Sequence, residues 1–136
     1  RPQRIVLVDF GLSKSFRAAD GGHTPPQTGR GIVGTLRYCS LSCHLGRGCN
    51  RASDVESLAY TTRFLSSGAL PWVGIRGKAA ERRAKVLERK RELGWEVCDV
   101  PHLRELWEHT RNLAWEERPA YDAFARACAG HLIGGD

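Results

Sequence analysis

The chain has 136 residues, of which 41% are hydrophobic and 26% charged, and its formal net charge is +6. This length suffices for one modest hydrophobic core. No apolar run approaches the roughly 18 residues that cross a membrane, and no segment has the pattern of a secretory signal. The composition therefore predicts a soluble domain of the cytoplasm or nucleus without a membrane partner.

The five cysteines are odd in number and irregularly spaced, which argues against a disulfide framework and for a reducing compartment. The sequence contains no methionine, not even at position 1, so we expect it to be part of a longer product. The cysteines are Cys39, Cys43, Cys49, Cys98 and Cys128.

The first predicted element is a short buried strand over Ile5–Val8, because this run is apolar and rich in β-branched residues. The strand ends at Asp9-Phe10-Gly11, a turn that would present a carboxylate to a site. Polar residues, glycines and prolines over Lys14–Gly34 then predict a long loop, and loops of such length are usually functional or disordered.

About four helices follow, so the predicted fold class is mainly α. Ser53 and Glu56 have the spacing of a capping box, which predicts that the first helix begins at Ser53 and ends before Gly68. Mixed charges predict a second, largely solvated helix over about Lys78–Leu93 that stops at Gly94. A third helix is predicted near His102–Leu113, with Pro101 in the first turn, and a fourth from Pro119 or Ala120 to about Ala129.

Five short motifs occur in a fixed order along these elements. Together they resemble the rear half of a protein kinase domain, and more specifically the casein kinase 1 family with its tau-tubulin and vaccinia-related relatives. The resemblance extends from Ile5 to about His131. The motifs are Val8-Asp9-Phe10-Gly11-Leu12, Gly34-Thr35-Leu36-Arg37-Tyr38-Cys39-Ser40, Cys43-His44-Leu45-Gly46, Asp54-Val55-Glu56-Ser57-Leu58-Ala59-Tyr60 and Gly68-Ala69-Leu70-Pro71-Trp72-Val73-Gly74.

The resemblance implies an incomplete kinase C-lobe over residues 1–136, with an activation segment at 9–42 and a helical subdomain at 53–133. In a full-length parent, it implies ATP-dependent and Mg²⁺-dependent phosphorylation of Ser or Thr. The family's glycine-rich loop and His-Arg-Asp-x-x-x-x-Asn catalytic loop have no counterpart in these residues. We therefore expect the isolated chain to be inactive and to bind neither ATP nor Mg²⁺ tightly.

The resemblance also assigns roles to individual residues. Asp9 corresponds to the residue that holds Mg²⁺, and Thr35 to one that supports the catalytic aspartate. Asp54 corresponds to a buried acid that ties the major helix to the catalytic loop. For acidic or phosphorylated protein substrates, the implied phosphate-binding residues are Arg37, Gly74 and Arg83.

Three other interpretations remain beside the kinase. A non-catalytic module of the same descent would bind acidic or phosphorylated proteins through the same phosphate-binding residues. The second interpretation is a metal-binding module formed by Cys39, Cys43, His44 and Cys49, although this cluster lacks the paired spacing of a structural zinc site. The third is a nucleic-acid or nuclear-import surface over the basic segment from Lys78 to Arg91. Glutamates interleaved through this segment instead favour ion pairs within a helix.

Overall fold

The computed structural model describes residues 5–29, 31–92 and 101–133. Within these residues the chain is mainly helical, and its β structure is an isolated bridge between Arg17 and His23. The mainly α character agrees with the predicted fold class. The described helices are α1 (Leu41–His44), α2 (Arg51–Ser67), α3 (Ala79–Glu92), α4 (Pro101–Asn112) and α5 (Tyr121–Ile133).

The start of α2 differs from the predicted capping box. Asn50 is the N-cap residue, and its Oδ1 accepts hydrogen bonds from the Ser53 amide at 2.9 Å and the Ser53 hydroxyl at 2.8 Å. The prediction that Ser53 caps the helix is therefore wrong, because Asn50 already satisfies the amide that would start the box. The predicted end is confirmed: Gly68 is left-handed at φ 71°, and its amide donates to the Phe64 carbonyl.

The other helices lie close to their predicted ranges. Pro101 opens α4, where its missing amide costs no hydrogen bond. The predicted stop of α3 at Gly94 lies outside the described residues. The short helix α1 was not predicted; Ser40 caps it, with its hydroxyl accepting from the Cys43 amide. No helix in the described ranges is both long and apolar enough to span a bilayer.

The predicted buried strand over Ile5–Val8 is wrong. This segment forms no strand, and its four side chains are 71% to 101% exposed. A strand needs a neighbouring strand to satisfy its backbone groups, and the described residues offer this segment none.

The loop that follows is anchored locally. The bridge between Arg17 and His23 closes a small hairpin-like turn, and the Trp115 indole donates to the Thr24 carbonyl at 2.7 Å. His23 lies against both Phe16 and Trp115, with ring centroids 5.6 and 6.2 Å away. These contacts join the loop to the segment after α4.

The hydrophobic core lies between α2, the turn that follows it and α3. Tyr60, Leu70, Trp72 and Val86 are buried together, and the rings of Tyr60 and Trp72 meet edge to face at 5.0 Å. Helix α2 also packs extensively against α4. Partly buried residues that pack around this core are Leu36, Tyr38, Phe64, Ile75 and Trp107.

A disulfide joins Cys43 at the end of α1 to Cys49 just before α2, with the Cα atoms 5.3 Å apart. The sequence-based argument against disulfides is wrong for this pair. Its spacing of six residues matches no framework pattern, and only the turn between α1 and α2 brings the two side chains together. Cys39 and Cys128 are free thiols.

Candidate active-site cleft and anion-binding residues

An open cleft of about 660 Å³ lies where the segment after Val8, the Gly34–Cys39 turn and the first turns of α2 meet. Three site residues from three separate motifs line this cleft, namely Asp9, Thr35 and Asp54. Asp9 and Thr35 are 26 positions apart, and Thr35 and Asp54 are 19 positions apart, so the fold and not the local sequence brings them together.

Asp9 occupies a conformation that favours a sharp turn. Its φ is 63°, in the left-handed region that few residues other than glycine adopt, although Asp and Asn tolerate it best. The Gly11 amide donates to Asp9 Oδ1 at 3.3 Å, which steadies the turn. This geometry leaves the exposed carboxylate at the wall of the cleft.

The Asp9 carboxylate fits a role in holding Mg²⁺. This ion commonly takes one or two protein carboxylates, with nucleotide phosphates and water completing its octahedron. The described residues contain no group of three or more His, Cys, Asp or Glu side chains that would hold a metal ion by themselves. That Asp9 holds Mg²⁺ therefore stays a prediction.

Asp54 lies in the first turn of α2, where a negative charge is favourable beside the free amides of the helix. The residue is exposed, yet neighbouring protein atoms desolvate its carboxyl and raise the pKa above its ordinary value. Within the described part of the chain, this carboxylate has no hydrogen-bond partner. It is available to amides or cations that enter the cleft.

Thr35 begins a tight turn, and its carbonyl accepts hydrogen bonds from the Tyr38 and Cys39 amides, both at 3.0 Å. The side chain of Lys90 closes the same turn from α3. Its Nζ donates to the Leu36 carbonyl at 2.9 Å and to the Cys39 carbonyl at 2.6 Å. Lys90 was not predicted from the sequence, because α3 was expected to be largely solvated. Its spacing of four from buried Val86 places both residues on one face.

Arg37 and Gly74 lie on segments that touch. The Trp72 indole donates to the Arg37 carbonyl at 2.7 Å, which holds the turn ending at Gly74 beside Arg37. The exposed Arg37 guanidinium lies 5.1 Å from the Phe64 ring centroid. Gly74 has φ 90°, a conformation that would strain any residue with a side chain.

Arg83 is engaged with α1. Its Nη2 donates to the His44 carbonyl at 3.2 Å, and His44 Nε2 lies 3.1 Å from the Arg83 carbonyl. Because a carbonyl only accepts, Nε2 carries the proton. Across the described residues, no hydrogen bond joins Arg83 to Arg37 or Gly74, so their convergence on one anion stays a prediction.

Glu56 has a different role from the predicted cap. Its Oε1 accepts from the Leu41 amide at 3.1 Å and from the Tyr60 hydroxyl at 2.6 Å, and it lies 3.5 Å from Arg111 Nη1. The same arginine donates through Nη2 to the Lys90 carbonyl at 2.9 Å. Polar groups of α1, α2, α3 and α4 are thus connected in one network of hydrogen bonds and ion pairs.

Comparison with known proteins agrees with the resemblance in the motifs. No protein-family profile matches the chain. The chain is 35% identical over 124 residues to a probable casein kinase I homolog of Encephalitozoon cuniculi, and this alignment covers 87% of the chain. It spans only 39% of that relative's length. This similarity relates the chain to protein kinases.

Proposed function

We propose that the chain is the C-lobe part of a casein kinase 1-like serine/threonine protein kinase. The observation that carries the proposal is the cleft, because Asp9, Thr35 and Asp54 come from separate motifs and line the same cleft. In a full-length protein, this part would transfer the γ-phosphate of ATP to Ser or Thr of acidic or phosphorylated proteins.

Each cleft residue has a distinct task in this proposal. Asp9 holds the Mg²⁺ that neutralises the nucleotide phosphates, which is the main electrostatic contribution in phosphoryl transfer. Thr35 supports a catalytic aspartate supplied by the catalytic loop. The carboxylate of Asp54 accepts hydrogen bonds from the backbone of that loop, which agrees with its lack of a partner among the described residues.

Substrate recognition is proposed for Arg37, Gly74 and Arg83. Guanidinium groups bind phosphate oxygens in a fork, and a glycine lets a backbone amide approach the same anion. The hydrogen bond from the Trp72 indole to the Arg37 carbonyl supports the placement of Arg37 beside Gly74. The second candidate function is a non-catalytic module that uses these residues to bind acidic or phosphorylated proteins.

A chimera tests the two functions against each other. The chain is fused to the upstream half of a casein kinase 1, which supplies the glycine-rich and catalytic loops, and transfer to a phosphoserine peptide is measured. Asp9→Asn should lower kcat on the order of 100-fold, since it removes the metal-holding charge. Arg37→Ala and Arg83→Ala should chiefly raise KM, and Arg126→Ala on α5 is the control of equal charge.

The outcomes separate the candidates. A chimera that melts cooperatively and binds the phosphopeptide, but transfers no phosphate, contradicts the kinase and favours the binding module. If Arg126→Ala raises KM as much as the other two arginine substitutions, the recognition is general attraction to a basic protein, and the anion site is wrong.

A further inference from the structure

Among the residues that the structure describes, Lys90 is the fully buried cationic side chain. The sequence has four lysines, and the other three, Lys14, Lys78 and Lys85, are exposed, whereas Lys90 is 0% exposed. Its side chain points away from solvent into the interface between α3 and the Thr35–Cys39 turn.

The contacts of Lys90 concentrate on that turn. Its Nζ bonds two carbonyls of the turn, those of Leu36 and Cys39, and lies 3.5 Å from Cys39 Sγ. The ammonium also lies 5.2 and 5.5 Å from the ring centroids of Trp72 and Tyr60. Lys90 therefore links α3, the core aromatic pair and both ends of the turn.

Stability alone is a weak reason for this charge. Burial disfavours a charged amine, and it lowers the pKa of Lys90 against the opposing effects of Cys39 and Glu56. Removing the ammonium alone would leave the Leu36 and Cys39 carbonyls without this donor. What an apolar side chain does not supply is directional bonding to the two carbonyls that flank Arg37.

We propose that Lys90 is a positioning residue that fixes the Thr35–Cys39 turn and thereby holds Arg37 in the orientation that binds a substrate phosphate. This inference rests on the proposed anion site. Lys90 acts through Arg37 and touches no substrate itself, because its ammonium is fully buried. Its effect on Arg83 is expected to be small, since Arg83 is held separately by His44.

The test is a double-mutant cycle on the 136-residue chain. Binding of a fluorescently labelled phosphoserine peptide is measured by anisotropy for the native chain, Lys90→Met and Lys85→Met. Met keeps most of the length of the side chain and removes the charge. Lys90→Met should weaken binding roughly 5-fold or more, whereas Lys85→Met, an equal charge change on the exposed face of α3, should have a much smaller effect.

The cycle then separates positioning from general destabilisation. In an Arg37→Ala background, Lys90→Met should cause little further loss, because both substitutions remove the same contact. In an Arg83→Ala background, it should still cause its full loss. Equal losses in the two backgrounds, or no loss in the native background, would overturn the role of Lys90.

The proposed anion site fails in a different way. If neither Arg37→Ala nor Arg83→Ala weakens binding in a chain that retains Lys90, the site itself is wrong, and the inference falls with it. If both arginine substitutions weaken binding while Lys90→Met has no effect, only the positioning role is wrong.

A second measurement requires no substitution and covers the case in which Lys90→Met does not fold. The native chain is labelled with ¹⁵N-lysine, and the side-chain ammonium signals are recorded. The Lys90 signal should persist where those of the three exposed lysines are lost to exchange with water, and it should shift when the phosphopeptide is added. A Lys90 signal that exchanges as fast as the others, or that is unmoved at saturation, would overturn the proposal.

Discussion

His44 is a neutral histidine held in a buried site. Desolvation, followed by the charge of Lys90, lowers its pKa from 6.5 to about 4, with Arg83 and Arg91 contributing further repulsion. Its Nδ1 is buried without a hydrogen-bond partner, so a second proton on the ring would meet no acceptor among the described residues. Protonation of His44 is therefore unfavourable in the folded chain.

Folding stability should fall as the pH falls through this window. Between pH 6.5 and pH 4, the unfolded chain binds a proton at His44 and the folded chain does not, so stability rises with pH there. The contribution is on the order of 2 kcal/mol between neutral pH and pH 4.5. Urea unfolding of the dilute native chain at the two pH values measures the change.

His44→Gln is the matched control, since the side-chain amide of glutamine is a donor for the Arg83 carbonyl and does not titrate. Carboxylates that titrate in the same range affect both proteins alike. The stability difference between native chain and variant should therefore become less favourable to the native chain at pH 4.5. A difference that stays constant with pH would contradict a lowered pKa at His44.

Some site residues could be assigned from the sequence because their motifs are short and local. Asp9 lies in a recognisable turn and Asp54 in the first turn of a patterned helix, and both line the cleft, while their roles stay predictions. Lys90 gave no such signal, because its partners Leu36 and Cys39 are 54 and 51 residues away along the chain. A lysine among many charges predicts a solvated helix face, and only the fold distinguishes the buried one.

The N-terminus of α2 shows why element boundaries are harder to predict than elements. Two patterns compete there: a capping box at Ser53 and Glu56, and an Asn cap at Asn50. Other contacts decide between them, since Glu56 instead accepts hydrogen bonds from the Leu41 amide and the Tyr60 hydroxyl and forms an ion pair with Arg111. Ile5–Val8 shows the same limit, because an apolar β-branched run forms a strand only beside a partner strand.

Two alanine substitutions distinguish the caps. Asn50→Ala should lower the free energy of unfolding by about 1 to 2 kcal/mol, because the Ser53 amide loses its acceptor. Ser53→Ala should cost less, since its backbone amide keeps that bond. Urea denaturation measures both, and a larger loss for Ser53→Ala would restore the capping box.

Asn50→Asp refines this measurement. Asn50 also donates through Nδ2 to the Trp115 carbonyl at 2.7 Å, so the alanine variant removes a tertiary bond as well as the cap. Aspartate keeps the acceptor for Ser53 and lacks the donor for Trp115. The loss in Asn50→Asp therefore reports the tertiary bond, and the remaining loss in Asn50→Ala reports the cap.

At the scale of the whole molecule, apolar surface remains exposed on two segments. The first is the run from Ile5 to Leu12, in which Leu7 is 79% exposed and Phe10 63%. The second is one face of α2, where Leu58 is 55% exposed and Leu65 78%. Folded monomers seldom leave contiguous apolar patches of this kind uncovered. Along α2, Val55 and Ala59 are buried, whereas Leu58 and Leu65 are not covered by the described residues.

We expect the 136-residue chain to self-associate through this exposed apolar surface. Sedimentation velocity over a dilution series should show a mass that rises with concentration. Leu58→Gln with Leu65→Gln should shift the chain towards monomer, because glutamine suits a helix and favours water over an apolar contact. Ser66→Gln, at an exposed polar position of the same helix, is the control and should leave the association unchanged. A native chain that stays monomeric at every concentration and unfolds in one sharp transition would show that these side chains need no cover.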